Sequence, residues 1–260
     1  MTRTTPHHDD PPEATCDTTA AIDISTAAGE LLLRYREALT PDDVDPVAFR
    51  KGADRVSQEF IAGELARRFS GDAVLSEESP DNAVRLGASR VWIVDPLDGT
   101  REFGEIGRGD WAVHVALFEN GSLTAGAVAL PGLGITHSSR DPVPLYNVVP
   151  SNPRVVVSRT RRPEPVMALA RALDAELIEM GSAGAKAMAV VRGDADIYAH
   201  AGGQYEWDSA APVAVAQAAG LHVSRIDGSA LHYNQENPWL PDLLICRPEL
   251  AATALEVLNR

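Results

Sequence analysis

Val91-Trp92-Ile93-Val94-Asp95-Pro96-Leu97-Asp98-Gly99-Thr100 decides how this chain is read. Four apolar residues make a buried strand, and the strand runs directly into two carboxylates three positions apart. Asp is depleted in strand interiors, and charged groups are rarely buried without a partner. Pro96 lacks an N–H and fixes φ, so the ladder breaks there and Asp95 and Asp98 turn toward one spot. The Leu97 carbonyl between them adds a hard oxygen. Asp98-Gly99-Thr100 then reads as a helix start, with Asp98 or Thr100 able to cap. Gly99 lets another group come close to the backbone, and the free amides of such a start favour a phosphate oxygen. Cation ligands beside an anion cradle suit a metal-bridged phosphate. Hard oxygens favour Mg²⁺ or Mn²⁺ over zinc.

An isolated Asp-x-x-Asp is more often a cap and a surface turn. Two further acidic positions change the balance. Glu77, in Ser76-Glu77-Glu78, ends a short strand at Ala73-Val74-Leu75. Asp208, in Glu206-Trp207-Asp208-Ser209-Ala210-Ala211, opens a helix. Asp54 opens the second helix of the chain and is a weaker candidate.

Working outward, residues 1–16 read as a disordered polar tail, and a first helix begins near Asp17 or Thr18 and ends in the turn Thr40-Pro41-Asp42-Asp43. A second helix runs from about Asp54 to Phe69. Trp111–Phe118 and Leu123–Leu130 flank Asn120-Gly121, a strong hairpin signal. Residues 131–153 read as a bridge. Beyond it, strands at Arg154–Ser158, Glu176–Met180, Asp196–His200 and Leu243–Cys246 alternate with helices at Pro163–Leu173, an Ala-rich stretch after Gly181-Ser182, Trp207–Ala219, and one from Pro248. A hairpin is expected at Asp227-Gly228. Alternating strands and helices give an α/β chain of layered sheets. The expected organisation is a metal- and phosphate-binding α+β lobe over 17–150 and an α/β lobe over 151–260 that completes the active site.

Composition narrows the function. The formal charge is −14, which repels nucleic acid polymers and anionic membranes. No apolar run reaches bilayer length, and the N-terminus has no apolar signal region, so the expected location is cytoplasmic. Cys16 and Cys246 form neither a disulfide framework nor a thiolate zinc pattern.

Ser76-Glu77-Glu78, Trp92 to Thr100, and Trp207-Asp208-Ser209-Ala210-Ala211 together resemble the inositol-monophosphatase superfamily of Mg²⁺-dependent, lithium-sensitive phosphatases. The resemblance runs from the first helix to the last strand. It implies an alternating α/β/α/β/α sandwich. It implies one metal held by Glu77, Asp95 and the Leu97 carbonyl, and a second held by Asp95, Asp98 and Asp208. Thr100 would orient the attacking water with Glu77. Asp54 matches the acidic residue of the family's Thr-x-x-Asp motif, although Lys51 stands at the Thr position. A third metal is left open. Asp98 and the amides of Gly99 and Thr100 would hold phosphate.

Relatives selective for inositol place Glu seven residues before the Asp of the Trp-Asp motif; here that position is Ala201. Gly181-Ser182-Ala183-Gly184-Ala185-Lys186, Gly202 to Asp208, Tyr233-Asn234-Gln235 and Leu240-Pro241-Asp242-Leu243 resemble instead the superfamily's CysQ-type bisphosphate-nucleotidase branch. That branch implies removal of the 3′-phosphate of 3′-phosphoadenosine 5′-phosphate, giving AMP and phosphate, with the sulfated 3′-phosphoadenylyl sulfate as a second substrate. Gly181 and Ser182 would approach sugar or phosphate, and Lys186 would meet the second phosphate or else be a surface lysine. Tyr205 would stack on adenine or pack as a half-buried aromatic. Trp207 is assigned to packing, and His114 and His200 to satisfied interior positions. Inositol 1-phosphate and fructose 1,6-bisphosphate are rival substrates, and a phosphometabolite-binding regulator is the non-enzyme alternative. A homodimer is compatible with the resemblance.

Overall fold

The computed structural model describes residues 12–39, 44–145 and 150–260. Residues 1–11 of the expected tail and the turn at 40–43 lie outside the described residues.

Two long helices open the chain, α1 (Pro12–Ala38) and α2 (Pro46–Arg68). α1 begins five residues before Asp17, with a proline at its first position. Pro12–Cys16 is therefore helix rather than tail. Asp17 does not cap; it is buried and pairs with Arg90 at 2.9 Å. α2 likewise begins earlier than Asp54. Asp45 accepts from the amides of Val47 and Ala48, and Pro46 opens the helix, so Asp54 sits within it.

The first sheet has the order β1-β2-β3-β4-β5: β1 (Ala73–Ser76), β2 (Arg90–Asp98), β3 (Ala112–Glu119), β4 (Ser122–Leu130) and β5 (Ile135–Ser138). β1 and β2 are parallel, and the remaining neighbours are antiparallel. Asn120 and Gly121, at φ +50° and +88°, close the β3–β4 hairpin as expected. The expected bridge at 131–153 contains β5, which pairs with β4.

β2 does not stop at Val94. It runs on to Asp98 because one extra residue is absorbed as a bulge: Asp95 faces His114 and Asp98 faces Ala112. The short helix α3 (Thr100–Gly104) follows, entered through Gly99 at φ +89° with no side-chain cap. Asp98 and Thr100 thus do other work than capping. Gly99 is required twice, by its left-handed φ and because a Cβ there would lie 3.0 Å from Ser182 Cβ.

The second sheet has the order β7-β6-β8-β10-β9: β6 (Arg154–Ser158), β7 (Glu176–Met180), β8 (Ile197–Tyr205), β9 (His222–Ser224) and β10 (Trp239–Cys246). Its helices are α4 (Glu164–Ala172), α5 (Ala183–Arg192), α6 (Glu206–Ala218) and α7 (Pro248–Leu258). β8 and β10 are longer than expected: β8 runs on past His200 to Tyr205, β10 starts at Trp239 rather than Leu243, and the two extensions pair with each other. Asp227-Gly228 forms a turn closed by Arg225 N–H on the Ser229 carbonyl, but β9 pairs with β10 across residues 225–238 rather than within a tight hairpin.

Strand periodicity sorts the side chains into three apolar cores. Trp92, Val94, Val113, Val115 and Leu117 face α1 and α2. Val91, Ile93, Ala112 and Ala116 face α5 and α6, which also receive Val156, Tyr198, Leu243 and Ile245 from the second sheet. Val155, Val157, Ile197, Leu244 and Cys246 face α4 and α7. The result is an α/β/α/β/α sandwich. The first sheet ends at Ser138 and the second begins at Arg154. No helix among the described residues is long and apolar enough to cross a membrane.

Candidate metal and phosphate site

The bulge in β2 and the start of α6 bring three aspartates together. Carboxylate oxygens of Asp95, Asp98 and Asp208 lie within 4.8 Å of one another. Three such groups in a confined space repel. Burial, then Glu77, Asp98 and Asp208, push Asp95 well above its ordinary range. Burial, then Asp98, push Asp208 up. Burial is the larger cause in both, and carboxylate repulsion adds to it. Closely grouped hard oxygens are the donor set a divalent cation takes, so the residues fit a metal of that kind.

Glu77 lies outside that tight group but borders the same cleft. The residue keeps an open face to solvent, yet the cleft walls desolvate its carboxyl. That, followed by repulsion from Asp208 and Asp98, pushes it up to about 8. The Leu97 carbonyl accepts from Thr100 Oγ1 at 3.1 Å, and the Leu97 amide donates to Asp95 at 3.0 Å. Thr100 Oγ1 is also 3.4 Å from Asp54 Oδ1. Asp54 is pushed up to about 7 by burial and then by Glu78. Asp54 thus meets Thr100 from inside α2, while Lys51 points outward, exposed.

Asp98 is the best-held carboxylate. Ser182 Oγ donates to it at 2.5 Å, and the amides of Ala183 and Gly184, in the first turn of α5, donate at 3.1 and 2.6 Å. Buried His114 faces it as well: its Nδ1 donates to the Trp207 carbonyl at 3.1 Å, and its Nε2 lies 3.4 Å from Asp98 Oδ2. His114 is therefore satisfied at one nitrogen and turned toward the site at the other. Asp208 is half cap, half site, since one of its oxygens accepts from the Tyr205 amide at 2.6 Å.

The four residues expected to touch substrate all border one cavity of about 750 Å³, which also contains Glu77, Asp98, Gly99, Thr100 and Asp208. Their individual surroundings differ from expectation. The Gly181 amide is committed to Asp110 at 2.6 Å, and a Cβ at 181 would fall 2.1 Å from the Glu102 carboxyl carbon. Its glycine is explained by that close approach. Ser182 supports Asp98 and caps α5 through the Ala185 amide at 2.9 Å. Lys186 is no surface lysine. It is buried, donates to the carbonyls of Gly181 and Ser182, and lies over the Tyr198 ring. Tyr205 is exposed and stacks on Trp207, with ring centroids 4.7 Å apart, and Trp207 is half-buried between the core and the cavity. His200 bonds Tyr198 and the Gly203 carbonyl, both at 2.9 Å.

Sequence reasoning did not single out several of the lining residues. Arg161 and Trp239 reach the cavity from loops or strand ends that carry no local signal. Gln204 arrives there because β8 is longer than expected. Two nearby arginines are committed to carboxylates: Arg159 holds Glu102 at 2.7 Å and Glu105 at 2.5 Å, and Arg154 holds Asp196 at 3.0 Å.

The layered sheets and the aspartate group formed by the end of β2 and the start of α6 make an α/β protein with a carboxylate cluster that could hold a metal ion. The sequence model of the inositol monophosphatase family matches residues 13–258, and the chain belongs to that family. It is 48% identical over 255 residues to the 3′-phosphoadenosine 5′-phosphate phosphatase of Mycobacterium leprae (strain TN), covering 94% of this chain and 93% of that protein. It is 31% identical to the 3′(2′),5′-bisphosphate nucleotidase CysQ of Escherichia coli (strain K12), covering 82% and 92%. Among solved structures, CysQ from Bacteroides thetaiotaomicron superposes with a TM-score of 0.76 at 28% identity, covering 92% of this chain and 99% of that one.

Proposed function

We propose that this chain is a metal-dependent phosphomonoesterase that removes the 3′-phosphate of 3′-phosphoadenosine 5′-phosphate, giving AMP and phosphate, and that it also accepts 3′-phosphoadenylyl sulfate. The convergence of Asp95, Asp98 and Asp208 carries the chemistry. The relative named for this substrate, 48% identical along nearly the whole chain, supports the choice of ester.

Mg²⁺, with Mn²⁺ as a substitute, is the cation we assign, held by Asp95, Asp98, Asp208, Glu77 and the Leu97 carbonyl. When bound, such ions supply the positive charge that acidifies water and offsets charge on the entering and leaving oxygens. The chain's own groups do the rest. Glu77, open to the cleft, accepts the proton of the attacking water. Thr100, placed between Asp54 and the Leu97 carbonyl, orients that water. Gly99 and Thr100 amides hold phosphate oxygens. The second phosphate of the substrate faces the cations that border the cavity, Arg101, Arg161 and Lys186. Lys186 is buried and donates to the carbonyls of Gly181 and Ser182, which hold its ammonium at the cavity wall. We place the enzyme in the cytoplasm, acting on a small soluble anion.

The test is a substrate panel with Mg²⁺: 3′-phosphoadenosine 5′-phosphate, inositol 1-phosphate and fructose 1,6-bisphosphate. The bisphosphate nucleotide is expected to give the highest kcat/KM. A higher value for inositol 1-phosphate would replace this substrate, and nucleotide binding without phosphate release would replace the enzyme by a binding protein.

A further inference from the structure

Glu102 puts a carboxylate where an anionic substrate has to enter. It stands in the short helix α3, two residues after Thr100, is 6% exposed, and borders the cavity that also holds Asp98 and Asp208. Gly99 and Thr100, whose amides are assigned above to phosphate oxygens, lie on the same turn. A bare negative charge at this point would repel each phosphate the cavity admits.

The charge is not bare. Arg159 follows β6 in the second half of the chain and reaches across to the first. Its Nε donates to Glu102 Oε1 at 2.7 Å, and its Nη2 donates to Glu105 Oε1 at 2.5 Å. The Arg159 amide donates to the Met180 carbonyl at 3.2 Å, which fixes the base of the side chain. Glu102 is hemmed in by backbone as well, since a Cβ at Gly181 would fall 2.1 Å from its carboxyl carbon. Ser158, Thr160 and Arg161 border the cavity and Arg159 does not, so Arg159 acts on the site only through the carboxylate it holds.

Removing one member of an enclosed ion pair leaves an uncompensated charge, whereas neutralising both members costs much less. Lys186, assigned above to the second phosphate, lies within the field of Glu102. Without Arg159, the Glu102 charge would act on Lys186 and on the incoming phosphate together.

We propose that Arg159 is a positioning residue for substrate binding: by pairing with Glu102 it neutralises a carboxylate in the cavity wall and leaves the cavity's cations and amides to the anion. This rests on the phosphatase reading given above.

The experiment is a double-mutant cycle on the full-length Mg²⁺-loaded enzyme: wild type, Arg159→Ala, Glu102→Gln, and the two substitutions combined. The substrate is 3′-phosphoadenosine 5′-phosphate, with kcat and KM measured separately. Arg159→Ala is expected to raise KM by about tenfold or more, the scale of one uncompensated charge near a bound anion, while kcat changes much less. Adding Glu102→Gln to Arg159→Ala recovers most of that loss, although the bridge stays broken. In the wild-type background Glu102→Gln lowers KM by a much smaller factor, and this difference between backgrounds is the coupling. An arginine that only braces α3 would give a loss that Glu102→Gln does not repair, and that result overturns the inference. So does an unchanged KM in Arg159→Ala, or the same factor for Glu102→Gln in both backgrounds. If Arg159→Ala does not fold, Arg159→Gln removes the charge, keeps much of the stem, and is read in the same way. A wild type that hydrolyses no phosphate ester overturns the phosphatase reading and this inference with it; the outcomes among the variants overturn this inference alone.

Discussion

Ser182 of the second half of the chain grips Asp98 of the first. The hydroxyl donates to the Asp98 carboxylate at 2.5 Å while accepting from the Ala185 amide, and the residue holds φ at +51° to do so. A non-glycine residue in this region stores strain, and such strain concentrates at functional sites. One side chain therefore caps α5 and fixes the orientation of a proposed metal ligand. Ser182→Ala is expected to lower Mg²⁺ affinity or activity by about 10- to 100-fold, the effect of losing a ligand's outer hydrogen bond. The lost cap costs stability by about 1 kcal/mol. Mg²⁺ titrations of activity beside thermal melts check both; an unchanged Mg²⁺ requirement would remove Ser182 from the site.

The crowded carboxylates make stability depend on pH in a stated direction. Folded Glu77 and Asp54 hold their protons up to about 8 and about 7, above their ordinary values of 4.5 and 3.8. The folded state therefore binds more protons than the unfolded state between about pH 4 and 8, and stability falls as pH rises through that window. In EDTA, the melting temperature is expected to decline across pH 5–8. Saturating Mg²⁺ should flatten the decline and release protons on binding, measurable by calorimetry in two buffers of different ionisation enthalpy. Asp95→Asn removes one of the mutually repelling charges. It should raise the EDTA-state Tm by about 2–4 °C, corresponding to roughly 1 kcal/mol for a chain of this size, while activity falls by at least about 10²-fold. A lower Tm would mean that repulsion is not what shifts these groups.

Arg161 borders the cavity on the second-sheet side, and its charge reaches Asp208 and Lys186. Charge-assisted hydrogen bonds contribute about 1.5–3 kcal/mol, so Arg161→Ala is expected to raise KM for 3′-phosphoadenosine 5′-phosphate by roughly tenfold or more. KM for 3′-AMP, which has no second phosphate, should change much less. Equal effects on the two esters would assign Arg161 to another part of the substrate.

Local chemistry determined a good deal of this protein by itself. Asn120-Gly121 requires positive φ and gives its hairpin; Ser182 and Gly193 bracket α5; an apolar run ending in Asp95-Pro96-Leu97-Asp98 announces carboxylates at a strand mouth. These features depend on neighbours a few residues away, so order along the chain suffices to read them. The early starts of α1 and α2 were legible too, from Pro12 and from Asp45-Pro46, but stronger apolar spacing farther along outweighed them.

Tertiary structure alone decided the rest. β2 passes its proline because β3 is there to accept a bulge, so Asp95 and Asp98 point where their spacing on a free strand would not take them. Asp208 joins them from 110 residues farther on only because α6 packs against the first sheet. Lys186 is buried on its own helix's entry and Gln204 is left with an unpaired amide. Burial and pairing are properties of what surrounds a side chain in space, and those surroundings are supplied by segments that sequence order keeps far apart.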